Sequence, residues 1–226
     1  MANTSKIQGN KENYTYRIEQ MFDIKFEQAF AMVEYMDMVL KRNEQINLTA
    51  VKDWDDAFEK HILDSLFITR LNEYEKAKNI LDVGTGAGFP GALLAICSPD
   101  KEFMLLDSTL KKLKIIDEFV SELGVKNIST VHARAEELNK QEPYSKNFDL
   151  VVSRAVANFS KLLEWTMPFL KEGGCLVAFK GENYQEEIDA AKDALKKYEA
   201  NVNRIEKYQS DIDSIAGHVL IIVKKI

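Results

Sequence analysis

The chain is poor in the residues that staple or ligate. Its 226 residues include two cysteines, three histidines and four prolines. Cys97 and Cys175 each sit inside an apolar run, Leu93 to Cys97 and Cys175 to Phe179. They read as buried free thiols in a reducing compartment, which excludes a disulfide framework. The histidines are scattered and share no ligand spacing with the cysteines, so no metal site is expected. No run of about 18 apolar residues occurs, and the first dozen residues are polar, without the apolar core of a secretion signal. A soluble, cytosolic protein is the expectation. An excess of basic residues is also lacking: the net charge is −6. This argues against broad nucleic-acid binding, while leaving room for a local basic patch.

What is present is a chain 46% hydrophobic and 29% charged. That suits one α/β domain with a helical extension, or at most two small domains. Residues 1–12 read as a frayed, polar terminus. From about Lys25 to Arg42, Phe26, Ala29, Phe30, Met32, Val33, Met36, Val39 and Leu40 form the stripe of an amphipathic helix. A loop, Ile46-Asn47-Leu48-Thr49-Ala50, follows. A second helix is expected from about Trp54 to Leu71, completing an N-terminal helical extension over 1–74. The domain over 75–226 alternates short apolar strands with helices. Strands are expected at Ile80–Val83, Phe103–Asp107, Ile128–His132, Phe148–Ser153, Cys175–Lys180, Val202–Tyr208 and His218–Lys224. Helices fit at Ala92–Cys97, Lys111–Leu123, Phe159–Leu170 and Tyr184–Tyr198. Such alternation indicates βαβ units and a parallel sheet. The last two strands are separated by a turn-length gap, Gln209 to Gly217, and should pair antiparallel. Five parallel strands ending in a hairpin is the arrangement of S-adenosylmethionine-dependent methyltransferases.

The most informative stretch is Ile80-Leu81-Asp82-Val83-Gly84-Thr85-Gly86-Ala87-Gly88-Phe89-Pro90-Gly91. A strand that turns into a helix over glycines is expected to leave backbone N–H groups bare and to let a ligand approach the chain. The spacing is not the G-x-G-x-x-G of dinucleotide folds, where Phe89 would have to be glycine. Asp107 ends the next strand, where an acid can accept hydrogen bonds from both ribose hydroxyls; capping the following helix is a second role it can hold at the same time. After the third strand, Ala135 and Glu136 are placed to meet an adenine amine, though Glu136 and Glu137 suit a solvated first helical turn equally well.

On the substrate side, the fourth strand ends Val151-Val152-Ser153-Arg154-Ala155-Val156. The Asn/Asp-Pro-Pro-aromatic signature of amino-group methylation is missing there, and neither cysteine stands where a cytosine-C5 nucleophile would. An arginine at that point suits a substrate that needs orientation and no deprotonation, such as guanine N7, through proximity and electrostatics. Lys111, Arg134 and Lys180 are further candidate donors at the C-terminal ends of strands. Singly, each lysine reads better as a solvated surface cation.

Asn47-Leu48-Thr49-Ala50, His61-Ile62-Leu63-Asp64-Ser65, the glycine turn with its Gly-Phe-Pro-Gly ending, Leu106-Asp107-Ser108, Ala133-Arg134-Ala135-Glu136-Glu137, Ser153-Arg154-Ala155-Val156 and Lys180-Gly181 occur in this order. The set closely resembles the RsmG (GidB) family, bacterial methyltransferases acting on N7 of a guanine in small-subunit (16S) ribosomal RNA. The resemblance covers about residues 25–183. It implies a Rossmann-like class I S-adenosylmethionine-dependent methyltransferase fold. Ribosomal RNA or the assembling 30S subunit is the implied partner, and no membrane. It implies cofactor contacts at Gly84, Phe89, Ala135, Glu136 and Arg154, beside Gly86 and Asp107 from the reading above. It implies RNA-binding or catalytic roles for Asn47, Lys111, Arg134, Arg154 and Lys180. His61 also matches a family position and is expected to be a structural histidine or helix contact. Many relatives carry a basic, proline-containing tail beyond the last strand that is not seen after Lys224-Lys225-Ile226, so weaker RNA affinity or another phosphate-binding surface is expected. Two other readings stand beside this one: a methyltransferase of the same fold acting on a small molecule or protein, and a non-catalytic S-adenosylmethionine-binding protein.

Overall fold

The computed structural model of the chain describes residues 2–207 and 219–226, with side chains described from Lys11 onward. Tyr208, the turn Gln209 to Gly217 and His218 lie outside the described residues.

Seven strands form one sheet: β1 Asn79–Val83, β2 Glu102–Asp107, β3 Ile128–His132, β4 Phe148–Arg154, β5 Leu170–Lys180, β6 Ala200–Lys207 and β7 Val219–Lys225. Their order is β3-β2-β1-β4-β5-β7-β6. The first five are parallel, and β7 runs antiparallel to both β5 and β6. The expected parallel sheet with a terminal antiparallel pair is therefore present. Strand order reverses between β1 and β4, so a crevice opens at their C-terminal ends.

Central strands bury both faces, and successive side chains go to opposite cores. On one side Ile80, Leu105, Leu150, Val152 and Val177 pack with the N-terminal helices, α6 (Gly91–Cys97) and α7 (Leu110–Glu122). On the other, Leu81, Val83, Leu106, Val151 and Leu176 pack with α9 (Phe159–Thr166).

Several helices differ from expectation. The terminus expected to fray is instead a helix, α1, Ala2–Phe22. It is held against α2 (Phe26–Asn43) because Tyr14, Thr15 and Ile18 are buried and Lys11 pairs with Glu34 and Asp37 of α2. The expected helix Trp54–Leu71 is broken into α3 (Trp54–Ala57), a π-helical turn (Phe58–Leu63), α4 (Asp64–Leu66) and a 3-10 turn (Phe67–Arg70), with Leu71 extended. A short α5, Asn72–Lys76, and a short α8, Ala135–Leu138, were not anticipated. The helix expected over Phe159–Leu170 stops at Thr166, with a 3-10 turn over Met167–Phe169 that contains Pro168. Proline has no N–H to continue the ladder, so Leu170 already begins β5. The last expected helix divides at Ala191 into α10 (Tyr184–Ala190) and α11 (Lys192–Lys197).

Because Ile18 is fully buried between α1 and its neighbours, Ile18→Ala should cost roughly 2–5 kcal/mol. Urea unfolding followed by circular dichroism measures this, and a loss within error of zero would show that α1 is not packed as described.

Candidate active site

The glycine turn after β1 is far less bare than its sequence suggests. Gly84 and Thr85 donate their N–H groups to Leu106 O, and Gly88 and Phe89 donate to Thr85 O. Gly86 N–H donates to Asp107 Oδ2 at 2.9 Å, and Gly91 N–H to Asp82 Oδ2 at 2.8 Å. The expectation of exposed backbone donors is thus corrected: the turn is short enough for its neighbours to satisfy its N–H groups, as burial demands.

Two of the three glycines are also closed by side chains. A Cβ at Gly84 (φ +73°) would come within 2.5 Å of Val156 Cγ2, and one at Gly88 (φ +93°) within 2.2 Å of Tyr35 Oη. At Gly86 the nearest atom to an added Cβ is Gly84 O, at 4.0 Å. The open side of the turn is therefore at Gly86, beside Asp107. Asp107 accepts from Gly86 N–H on one oxygen and from Thr109 N–H on the other, at 2.8 Å. It does not cap a helix at Ser108, since α7 starts at Leu110 with Thr109 as its flanking residue. Each carboxylate oxygen keeps a further lone pair. An open slot beside a fixed carboxylate fits the ribose of an adenosyl group, so these residues suit S-adenosylmethionine. Ala135 and Glu136 open α8 next to the end of β3, ahead of its first intrahelical bonds.

Phe89 is not a solvent-facing contact. It is 5% exposed, with the His61 ring stacked on it at 4.5 Å and Tyr35 edge-on at 6.0 Å. Tyr35 comes from α2 and donates to Ala87 O at 2.9 Å, so an N-terminal helix braces the turn from behind.

Arg154 is the last residue of β4, not a loop residue. Its Nη1 donates to Asp64 Oδ2 at 2.7 Å and to Lys60 O at 2.9 Å, and its Nη2 to His61 Nδ1 at 3.2 Å. Asp64 is fully buried, and the Arg154 side chain is 10% exposed. The guanidinium is thus turned into the N-terminal helical region instead of being held out for substrate. Since arginine only donates, His61 Nδ1 accepts, and Nε2–H donates to Thr49 Oγ1 at 2.7 Å. Thr49 belongs to the Asn-Leu-Thr loop, which Asn43 shapes by accepting from Leu48 N–H and Thr49 N–H and donating to Thr49 O. His61 is a structural contact, as expected, but one that joins three motifs.

Asn47, Lys111 and Arg134 are exposed and make no side-chain hydrogen bond among the described residues. Lys180 differs: it is 7% exposed and donates to Ala157 O and Glu187 Oε2. Lys180, the Arg154 strand end and Val156 line one cavity; the structure does not bring Asn47, Lys111 or Arg134 into it. No group of three His, Cys, Asp or Glu residues that could hold a metal occurs among the described residues.

Sequence reasoning missed Tyr35, Asn43 and Glu187, and held Asp64 and Asp82 only as members of quoted motifs, without a role. Asp64 carried a signal, a carboxylate within the apolar positions Ile62, Leu63 and Leu66; Tyr35 is one more aromatic on a core-facing stripe. Burial pushes the Asp82 carboxyl up to about 6, against the lowering effect of the Thr85 hydroxyl and Gly91 N–H. Burial, and then the Arg154 charge, push His61 down to about 3.

With the geometry in view, comparison with known proteins is direct. The family described as rRNA small subunit methyltransferase G (GidB) matches residues 28–215. The ribosomal RNA small subunit methyltransferase G of Clostridium tetani is 40% identical over 87% of this chain and 82% of its own length. That of Clostridium novyi is 39% identical over 86% and 79%. The chain belongs to the rRNA small subunit methyltransferase G family.

Among solved structures, an O-methyltransferase from Bacillus cereus in complex with SAH aligns with a TM-score of 0.63 at 15% identity, over 96% of this chain and 100% of that one. A SAM-dependent O-methyltransferase from Thermotoga maritima aligns at 0.61 and 15% identity, over 85% and 71%. These show the fold, a Rossmann-like methyltransferase sheet.

In this methyltransferase G chain, Gly88→Ala should weaken both stability and S-adenosylmethionine binding, because Cβ meets the Tyr35 hydroxyl. Part of the damage should be recovered in Gly88→Ala/Tyr35→Phe, since the contact with the Tyr35 hydroxyl is then gone, while the milder contacts with Ala92 Cβ and the ring and the strain at positive φ remain. Calorimetric titration and urea unfolding of the four-member cycle check this; strictly additive effects would refute the contact. A second prediction concerns acid. His61 is lowered in the fold from an ordinary 6.5 to about 3, so its contribution to stability is present above pH ~6.5 and fades as pH falls toward 3, by at most about 1.4 kcal/mol per pH unit. Asp82, raised from 3.8 to about 6, runs the other way: its contribution is present below pH ~4 and is lost as pH rises through 6. His61→Gln should therefore gain stability relative to the parent between about pH 6.5 and 4.5, and parallel pH profiles of unfolding would contradict this.

Proposed function

We propose that this chain transfers the methyl group of S-adenosylmethionine to N7 of a guanine in small-subunit (16S) ribosomal RNA, in the cytoplasm, with the RNA or the assembling 30S subunit as partner. The observation that carries the reading is the composition of the crevice at the β1/β4 switch point. There the open side of the glycine turn at Gly86, with Asp107 beside it, adjoins a cavity lined by Val156 and Lys180 and by no cysteine, in a chain of the methyltransferase G family.

Bound at that slot, the cofactor supplies an electrophilic methyl on a sulfonium. Guanine N7 is a lone-pair nucleophile without a proton. One C–S bond breaks, one N–C bond forms, and the positive charge passes to the purine, so no general base is needed. The work left to the protein is alignment and water exclusion. In this reading Gly84, Gly86, Phe89, Asp107, Ala135 and Glu136 shape the cofactor side, Phe89 from behind the turn and Ala135 and Glu136 at the adenine end. Lys111, Arg134, Lys180 and Asn47 meet RNA. Arg154 acts chiefly as a positioning residue, locking the end of β4 to Asp64 and so fixing Val156 over Gly84. In the same reading residues 1–74 are a helical extension, on which Asn47 meets RNA outside the cavity, and 75–226 are the methyltransferase domain.

Small subunits from cells lacking the gene, incubated with the protein and S-adenosylmethionine and then digested to nucleosides, should yield 7-methylguanosine. Transfer confined to protein or small metabolites would overturn the reading. Arg154→Ala should lower kcat/KM by about 100-fold, while full retained activity would remove Arg154 from the site.

A further inference from the structure

Beyond β4 and β5 lies a cavity of about 360 Å³, lined by Arg154, Val156, Ala157, Phe179, Lys180 and Glu187 among others. It adjoins the cofactor turn, because Val156 packs on Gly84. Its polar content is unusual in being pre-paired. Lys180 Nζ donates to Ala157 O at 2.7 Å and to Glu187 Oε2 at 2.6 Å. Glu187 Oε2 also accepts from Phe159 N–H at 2.7 Å. Thus one oxygen of Glu187 is pinned between two donors from two elements, and Oε1 takes no donor among the described residues. Lys180 likewise has three protons and two acceptors. The Glu187 side chain is 29% exposed and that of Lys180 7%. A cation with a proton to spare and a carboxylate with an oxygen to spare stand side by side in one cavity, and neither can turn away without breaking a bond to backbone.

We propose that the Lys180–Glu187 pair reads the target base as guanine, Lys180 donating to O6 and Glu187 Oε1 accepting from N1–H and the N2 amine. The assignment rests on the guanine-N7 reading above and adds the residue that gives it specificity. The chemistry of the edges supports it. Guanine sets an acceptor, O6, beside a donor, N1–H, with the N2 amine as a further donor. Adenine offers the reverse, a donor at N6 beside an acceptor at N1, and would meet the lysine with a donor and the carboxylate with a lone pair. Gripping a base by O6, N1 and N2 leaves N7, on the far side of O6, for the methyl group. Bases splayed out of RNA are read on that edge, and charge-assisted bonds to a fixed carboxylate reject a base lacking the matching donor far better than an apolar pocket does.

The test compares guanosine with inosine at the methylated position, in small subunits reconstituted on ligated RNA. Inosine keeps O6, N1–H and N7 and lacks only the N2 amine. The parent protein should prefer guanosine by roughly 10- to 100-fold in kcat/KM. In Glu187→Ala and in the isosteric Glu187→Gln, activity on guanosine should fall while the guanosine/inosine ratio collapses to about one. A merely structural role for Glu187 would lower both substrates alike and leave the ratio at the parent value, which would overturn the assignment; so would a parent ratio near one. If the parent yields no 7-methylguanosine at all, the guanine-N7 reading fails and takes this assignment with it, whereas 7-methylguanosine with an unchanged ratio in the variants overturns the assignment alone.

Discussion

The ion pair between Arg154 and Asp64 is the constraint around which the rest of the site is arranged. Both charges are taken out of water, and the attraction between such charges does little more than repay their desolvation. The pair therefore adds little to stability compared with an apolar contact of the same volume, yet removing one partner would cost about 3–5 kcal/mol by stranding the other. What it does supply is geometry. It ties the end of a central strand to a helical segment ninety residues earlier in the chain, and through His61 it reaches both Thr49 and the ring of Phe89. The N-terminal helices and the cofactor turn are thereby one mechanical unit. A shift at either end must move the other or break a hydrogen bond inside a low-dielectric junction.

The cofactor turn shows the same economy. Its N–H groups are spent on Leu106, Asp107, Asp82 and Thr85, and its flanks are filled by Val156 and Tyr35. A turn held on all sides but one needs little reordering when a ligand arrives, and affinity is then not lost to ordering loose backbone.

Much of this fold was legible in the sequence because the central strands are buried on both faces and so appear as short continuous apolar runs between glycines and helical patterns. The strand positions, the parallel order implied by alternation with helices, and the closing antiparallel pair follow from that. The slots at Gly86 and Asp107 were legible for a similar reason: both stand at strand ends, where backbone geometry dictates what a residue can reach. The rest was hidden because it depends on partners distant along the chain. Nothing in the polar run before Tyr14 announces a helix; only Tyr14 and Ile18, four apart, mark its buried side. Arg154 read as a substrate ligand because the residue that claims it, Asp64, stands inside a helix whose phase could not be known. The glycine turn read as bare because its acceptors, Leu106 O and the Asp107 carboxylate, belong to the next strand. Glu187 lies in a helix with no buried residue and has the appearance of an ordinary surface acid.

The irregularity of the helical segment that carries Asp64 bears on how the protein tolerates change in length. The π-helical turn at Phe58–Leu63 accommodates one residue more than an α-helix would over the same span. Deleting one residue there would leave a sequence able to form a regular α-helix whose flanks keep their phase, so Asp64 would still face Arg154. What would change is the turn itself, from which Lys60 O and His61 Nδ1 both accept from Arg154. The locally smoother helix would keep the ion pair and lose the carbonyl and the imidazole that surround it.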